Sequence, residues 1–415
     1  MNYIGNHPNG RLSNELKDIT YDDIRRMYEK SLQDDEECEK ITDHARRKSL
    51  GVHEDGAEVQ TPSALRLKLY EDILFKDPKI SGFEMSYGDS SIIRQGERGS
   101  YYRGETKIHT KSGTTLSRPL DKLSSDEDRL LYRLIADMRI AEFDCFIHKF
   151  DRVKRWEETG HTVLTEPLAQ HYGLETDWLD ITNDFATALF FATCRWDNDA
   201  KKWYPLTKKE MEKGVDGDPN KTRYGVLFHA PAWRVMAENM TLFSTGSDEG
   251  MILPIGYQPF MRCHSQYGYA LHMKVSVPLQ EKIAFEKLRF CHSERLSQDV
   301  YELMDGGRKV YPKEGLDDFQ DAVDSIKTAT HFSETAFLSA LEKNGLSDRI
   351  EKYRTALEKS SLFSMSISIC GDKHPFTVSR QRIRRSNRRD VGFSIEREYG
   401  IQIITRPMFL PDGQN

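Results

Sequence analysis

Three groups of residues in this chain have the types and spacing for chemistry. The first is Leu168 to Ala192, LAQHYGLETDWLDITNDFATALFFA, whose apolar ends enclose His171, Asp177, Asp180, Thr182, Asn183 and Asp184. Polar groups between two runs that belong in a core form either a turn at a buried corner or the wall of a ligand site. The second is Tyr102-Arg103-Gly104. A guanidinium can grip a phosphate or carboxylate through two parallel hydrogen bonds, and the neighbouring glycine lets a ligand approach the backbone. Alone, the triplet reads first as a surface arginine before a turn. The third is the dense basic cluster Arg380, Arg382, Arg384, Arg385, Arg388 and Arg389. It suits a phosphate backbone (nucleic acid) or an acidic protein; otherwise it is the solvated face of a hairpin, since Arg380, Arg382 and Arg384 alternate with Gln381 and Ile383.

Each polar residue of the first group has a structural alternative. Trp178, Leu179, Phe185, Leu189, Phe190 and Phe191 read as core, with Asp180 and Thr182 as helix caps and His171 as a hydrogen-bonded interior side chain. Cys263-His264 and Cys291-His292 lack the spacing of a zinc site, so no metal is expected.

These groups need a scaffold, and 415 residues give room for one large domain or two to three ordinary ones. With 38% hydrophobic and 30% charged residues the composition is that of a globular chain, and a net charge of -6 confines any nucleic-acid site to a local patch. No apolar run approaches the roughly eighteen residues of a membrane helix, so no membrane association is expected. The start, MNYIGNHPNGRLSNELKD, has no secretory apolar core, and six dispersed cysteines without a C-x-x-C suit reduced thiols. The expected compartment is the cytoplasm.

Charge and periodicity predict helices over Tyr21–Leu50 and Ser63–Leu74, joined by a linker from Gly51 to Pro62, and hence a helical N-terminal region over 1–85. A core strand is expected at Ser100–Gly104, then a long helix over Ser125–Arg155. Shorter helices follow at Pro167–Tyr172, stopped by Gly173, and at Phe185–Cys194. Strands are expected at Gly225–Ala230 and Tyr269–Val277, with Lys201–Arg223 an inserted surface loop. Phe319–Leu357 reads as mostly helical, and Phe363–Cys370, Phe376–Ile383 and Gly392–Ile404 as strands. The mixture is α+β.

With Tyr102-Arg103-Gly104 upstream, the segment His171–Asp180 resembles the second signature of the FRG domain family, named after its F/Y-R-G motif. Glu175 and Asp177 stand where other members usually carry Pro and Arg. Arg262, Gln266 and Gly268, within FMRCHSQYG, are similar to the third signature, R-x-x-x-Q-x-G. The resemblance covers roughly 90–345 and is expected to correspond to a domain over 86–350, leaving 351–415 as a C-terminal strand extension bearing the basic patch.

The order of motifs is in turn similar to the ADP-ribosyltransferase pattern, which implies a split-sheet core with a helical N-terminal layer and additional C-terminal strands. The resemblance implies NAD as substrate, held by Tyr102, Arg103, Gly104, His171, Tyr172, Thr182 and Arg262, with Gln266 and Asp180 as catalytic residues. Cleavage of the nicotinamide–ribose bond passes through an oxocarbenium-like state. Gln266 stands where the transferase pattern has Glu; its amide can bond a ribose hydroxyl but cannot stabilise positive charge. Asp180, Glu105 or Glu249 are the carboxylates that could supply that charge. A role in toxicity or phage defence is implied by the resemblance alone. The competing readings are a nucleotide or nucleic-acid binding module on the same fold, which turns nothing over, and a purely structural partner domain.

Overall fold

The computed structural model describes residues 16–33, 81–95, 98–213, 223–232, 234–235, 250–273, 278–282, 284–313, 315–360, 362, 366–390, 394, 397 and 402–404. The helix expected at Ser63–Leu74, the linker before it and most of Gly392–Ile404 lie outside these residues.

The strands, in chain order, are β1 (Leu16–Ile19), β2 (Ser81–Tyr87), β3 (Ser90–Arg94), β4 (Ser100–Glu105), β5 (Trp178–Thr182), β6 (Cys194–Asp197), β7 (Lys202–Pro205) and β8 (Tyr224–Pro231). They continue with β9 (Ile252–Pro254), β10 (Gly268–His272), β11 (Glu286–Cys291), β12 (His331–Phe332), β13 (Ser368–Ile369) and β14 (Gln402–Ile404). The class is α+β, built on a mixed seven-stranded sheet in the order β1-β11-β8-β4-β5-β10-β9. Only β1 runs parallel to its neighbour β11; the other pairings are antiparallel. The N-terminal region therefore contributes an edge strand to the main sheet before its helix, which is seen over 21–33. In a separate sheet, β14 pairs with β2 and β2 with β3, which joins residues 402–404 to the β2–β3 pair.

The long helix expected at Ser125–Arg155 is two helices, α1 (Asp126–Ile147) and α2 (Asp151–Glu158). Then come α3 (Thr165–His171), α4 (Phe185–Thr193), α5 (Arg262–Ser265), α6 (Glu294–Leu303), α7 (Gln320–Lys327), α8 (Glu334–Lys343), α9 (Ile350–Lys359) and α10 (Arg380–Arg389). α1 starts at a Ser125 cap and carries three acids in its first turn, as its dipole favours. Its apolar side joins Phe143, Phe146 and Ile147 to one buried cluster, and Leu134, Ile135 and Met138 to a second shared with α8 and α9.

Two expectations are corrected. Phe376–Ile383 is not a strand and the arginines do not form a hairpin: Ser379 accepts a hydrogen bond from the Arg382 backbone and starts α10. A period of two over a few residues also fits a helix when one apolar residue is enough to seat it, and Ile383 packs against the large cluster. The supposed loop Lys201–Arg223 contains β7, paired antiparallel with β6, and a helical turn at Lys208–Lys213.

The sheet's two faces bury different clusters. Tyr102, Leu227, Leu288 and Phe290 pack with α4, α6 and Ile24 of segment 21–33; Leu179, Ile181, Val226, Phe228 and Leu271 form the opposite cluster. α4 lies directly on Gly104, where a Cβ would fall 1.7 Å from the Ala188 carbonyl oxygen. Gly104→Ala is therefore expected to destabilise the protein by about 3 kcal/mol or more, because helix and sheet would have to separate. Urea denaturation giving an unchanged midpoint would show that α4 does not rest there.

Candidate active site

The chain reaches the site through β5 and the turn into α4. Thr182 donates to the Gln266 carbonyl at 2.7 Å and accepts from the Asp184 backbone at 3.0 Å. Asp184 caps α4 through the Thr187 amide at 2.7 Å and pairs with Arg98 at 2.7 Å, while Asn183 donates to the Tyr269 hydroxyl at 3.3 Å. Thr182, Asn183 and Asp184 thus form the turn.

Side chains alternate along a strand, and Tyr102 is registered against Thr182. Tyr102, Thr182 and Asp180 therefore point to the α4 face, and Arg103 to the other. Arg103 is committed there: it donates to Glu105 at 2.9 Å and to the Asp180 carbonyl at 2.6 Å. Glu105, 6% exposed at its side chain, also accepts from Ser112 at 2.6 Å. β4 and β5 are neighbours, yet the Arg103 and Asp180 side chains lie on opposite sides of the sheet. Tyr102 is equally engaged, stacked on His229 at 5.1 Å and edge-on to Phe185 at 5.2 Å.

On the α4 face, α3 ends at His171, whose Nε2 lies 3.7 Å from Asp180 Oδ1. Neither atom has a hydrogen-bond partner among the described residues, although the His171 side chain is only 2% exposed. Beside this pair opens a cleft of about 1400 Å³, walled by the rings of Tyr172, Trp196, Trp203, Tyr301 and Tyr311. Arg262 lies between two of them, 4.4 Å from the Tyr172 ring centre and 4.7 Å from that of Tyr311. It donates to the His171 carbonyl at 3.0 Å and pairs with Asp317 at 3.2 Å. Burial pushes the Tyr311 hydroxyl pKa up, against the opposing pull of Arg262. Lys201, Lys202 and Lys313 also line the cleft, together with two local ion pairs, Arg308 with Asp305 and Lys327 with Asp324. Trp203 Nε1 has no acceptor among the described residues.

Of the residues singled out in sequence, His171, Tyr172 and Arg262 line this cleft, and Asp180 stands behind His171. Arg103, Gly104 and Thr182 are engaged elsewhere. Gln266 is 5% exposed and donates its amide to the Val310 carbonyl at 3.1 Å, so it fixes the segment that carries Tyr311 rather than facing the cleft. Of the three carboxylates considered for positive charge, Glu105 is bound to Arg103, Asp180 is beside the cleft, and Glu249 lies outside the described residues. Trp196, Trp203 and Tyr311 were passed over in sequence. Trp203, on β7, falls inside the apparent insertion Lys201–Arg223 and Trp196, on β6, just before it; two tryptophans so close in a charged stretch were the available signal.

Residues 98–201 match the family model of the FRG domain. The chain carries an FRG domain. Compared with curated proteins and with solved structures, it finds no match. The FRG segment spans β4, α1 to α4, β5 and β6, and so supplies His171, Tyr172 and Trp196 to the cleft, with Asp180 behind His171. Its two departures from the usual second signature have partners on α1: Asp177 pairs with Arg133, and Glu175 accepts from Tyr132 at 3.1 Å with Arg139 at 3.6 Å.

Among the described residues no group of three or more His, Cys, Asp or Glu is placed to hold a metal, and no helix is long and apolar enough to cross a membrane. Burial drives the His264 pKa down to about 4, partly countered by its hydrogen bond to the Met261 carbonyl, so the ring is neutral at pH 7. In α10, Arg382 pairs with Asp321 at 2.8 Å and Arg389 with Asp318 at 2.9 Å, which turns part of the basic cluster back onto the protein.

The position of Arg103 gives a test. Arg103→Ala leaves Glu105 buried without its cation, which should cost about 3 kcal/mol of stability. Nucleotide affinity at the cleft should stay within about two-fold, below the ten-fold that a 1.4 kcal/mol loss would produce. Denaturation and calorimetric titration on the same protein separate the two; lost affinity at unchanged stability would return Arg103 to the ligand site.

Proposed function

We propose that the aromatic cleft binds a nucleotide, with NAD as the leading candidate, and that the protein cleaves the nicotinamide–ribose bond as an ADP-ribosyltransferase-like enzyme. The observation that carries this reading is the His171–Asp180 pair. Two buried polar atoms stand 3.7 Å apart without hydrogen-bond partners, beside a cleft walled by five aromatic rings. Leaving such atoms unpaired costs roughly 1–3 kcal/mol each unless a ligand or water meets them. Flat rings accept a base or nicotinamide by stacking, and Lys201, Lys202 and Lys313 suit the charge of a pyrophosphate.

In this reading the C1′–N bond lengthens, its electron pair passes to the ring nitrogen and neutralises the pyridinium, and positive charge grows on the ribose. The Asp180 carboxylate is the group that would oppose that charge. His171 would hold the adjacent ribose hydroxyl, and Arg262 would keep Tyr172 and Tyr311 in stacking position. An acceptor nucleophile, or water, then bonds to C1′ and gives up its proton to solvent. The similarity of the motif order to the transferase pattern supports NAD over other nucleotides. The internal engagement of Gln266 favours a second reading, in which the cleft binds without catalysis.

Nicotinamide release from labelled NAD distinguishes the readings. The parent chain is expected to release it above the buffer rate, with Asp180→Asn lowering turnover about 100-fold or more. Trp203→Ala should weaken binding by about 1–3 kcal/mol, the usual worth of one stacked base. Full turnover in Asp180→Asn would remove Asp180 from the chemistry. Binding of NAD by the parent with release only at the buffer rate would leave a binding module.

A further inference from the structure

A second group of side chains lies on the α4 face of the same sheet, away from the aromatic cleft. Ser100 on β4, His229 on β8 and Glu286 on β11 stand on three successive strands. Ser100 Oγ is 3.0 Å from His229 Nε2, and His229 Nδ1 is 2.5 Å from Glu286 Oε1. Register fixes this line: His229 is opposite Glu286, and Ser100 lies two residues along β4 from Tyr102, the partner of His229.

Burial raises the Glu286 pKa, but the hydrogen bond and charge of His229, together with Lys17 at 3.2 Å, outweigh it and bring the value to about 2. The carboxylate is therefore ionised near neutral pH and can only accept, so His229 Nδ1 carries the proton. In the neutral imidazole, Nε2 presents its lone pair and the Ser100 hydroxyl donates to it. Stacking of Tyr102 at 5.1 Å holds the imidazole plane. A general base thus faces a hydroxyl with its tautomer set by a third group, the arrangement that activates a serine. The neighbouring positions on this face are the apolar Leu227, Leu288 and Phe290, so a polar chain across three strands is not what sheet packing alone selects. Ser100 is partly exposed.

We infer that Ser100, His229 and Glu286 form a second catalytic site, with Ser100 a nucleophile toward carboxylic esters or other activated acyl groups. Ser100 Oγ bonds to the acyl carbon while its proton passes to His229 Nε2 and the carbonyl π pair moves onto oxygen. Collapse of that adduct re-forms the carbonyl and breaks the bond to the leaving alcohol, which takes the proton from Nε2. Water, deprotonated by His229, then attacks the acyl-serine, releasing the acid and restoring Ser100. Glu286 keeps the imidazole oriented and balances its charge while it is protonated.

The experiment treats the full chain with a fluorophosphonate, maps the adduct by peptide mass spectrometry, and measures p-nitrophenyl acetate hydrolysis. The expected adduct is on Ser100 of the folded protein and is lost when the chain is first unfolded in urea. Ser100→Ala, His229→Gln and Glu286→Gln should each lower hydrolysis on the order of 100-fold or more. Ser100→Ala should leave nicotinamide release unchanged, since Ser100 has no part in the cleft. A folded parent with no Ser100 adduct overturns the proposal even if a variant misfolds. So does full esterase activity in Ser100→Ala, which would assign hydrolysis to surface groups.

Discussion

The approach of α4 to Gly104 is the constraint on which the site depends. A carbonyl oxygen of the helix occupies the place of a side chain, at a distance only glycine allows. With the helix axis fixed so close to the sheet, the chain has only Asn183 and Asp184 in which to leave β5 and enter α4. Every polar side chain of that turn is drawn into holding it, through Thr182 on the Gln266 carbonyl, Asn183 on Tyr269, and Asp184 on Thr187 and Arg98. Asp180, two residues before Thr182 on the same face, is left facing His171.

Much of this was legible because it is local. The polar break in an apolar run marks the β5–α4 turn, and Gly173, with φ 85°, marks the end of α3. What failed was the parity of Arg103. Adjacent strands bring backbones together, but a single-residue offset sends side chains to opposite faces, and no motif spacing across two distant strands encodes that offset. Gln266 failed for a related reason: its partner Val310 lies 44 residues on, in a segment that carries no signature. The edge strand β1 was hidden because Leu16–Ile19 is short and charged, and becomes a strand only by pairing with β11.

The departures from the FRG signature can be read in the same physical terms. Where Pro and Arg are usual, Glu175 and Asp177 place two carboxylates, and α1 answers with Arg133, Arg139 and Tyr132. α1 carries other charged groups into its packing, with Asp137 held by Lys343 at 2.7 Å and Glu142 by the Ser333 amide at 2.6 Å and His374 at 2.6 Å. A buried charge without its partner costs several kcal/mol, so these pairs fix which neighbours α1 accepts as well as how firmly it binds them. The ion pair from Arg133 ties the strand bearing Asp180 to the helical layer.

The separation of the two polar groups on the α4 face then follows from the same helix. Asp180 on β5 and Ser100 on β4 both belong to that face, and α4 crosses β4 above Gly104, four residues along the strand from Ser100. Toward α3, the helix leaves room for the aromatic walls from β6, β7 and Tyr311. Toward β11, it leaves the Ser100–His229–Glu286 line under Tyr102. A solvated surface could satisfy each of these polar atoms with water at little cost, but on a face otherwise filled by Phe185, Leu189, Leu227 and Phe290 their desolvation must be offset atom by atom. His229 meets that demand with a partner at each nitrogen. His171 does not, and its Nε2 opposite Asp180 is where a ligand has most to gain.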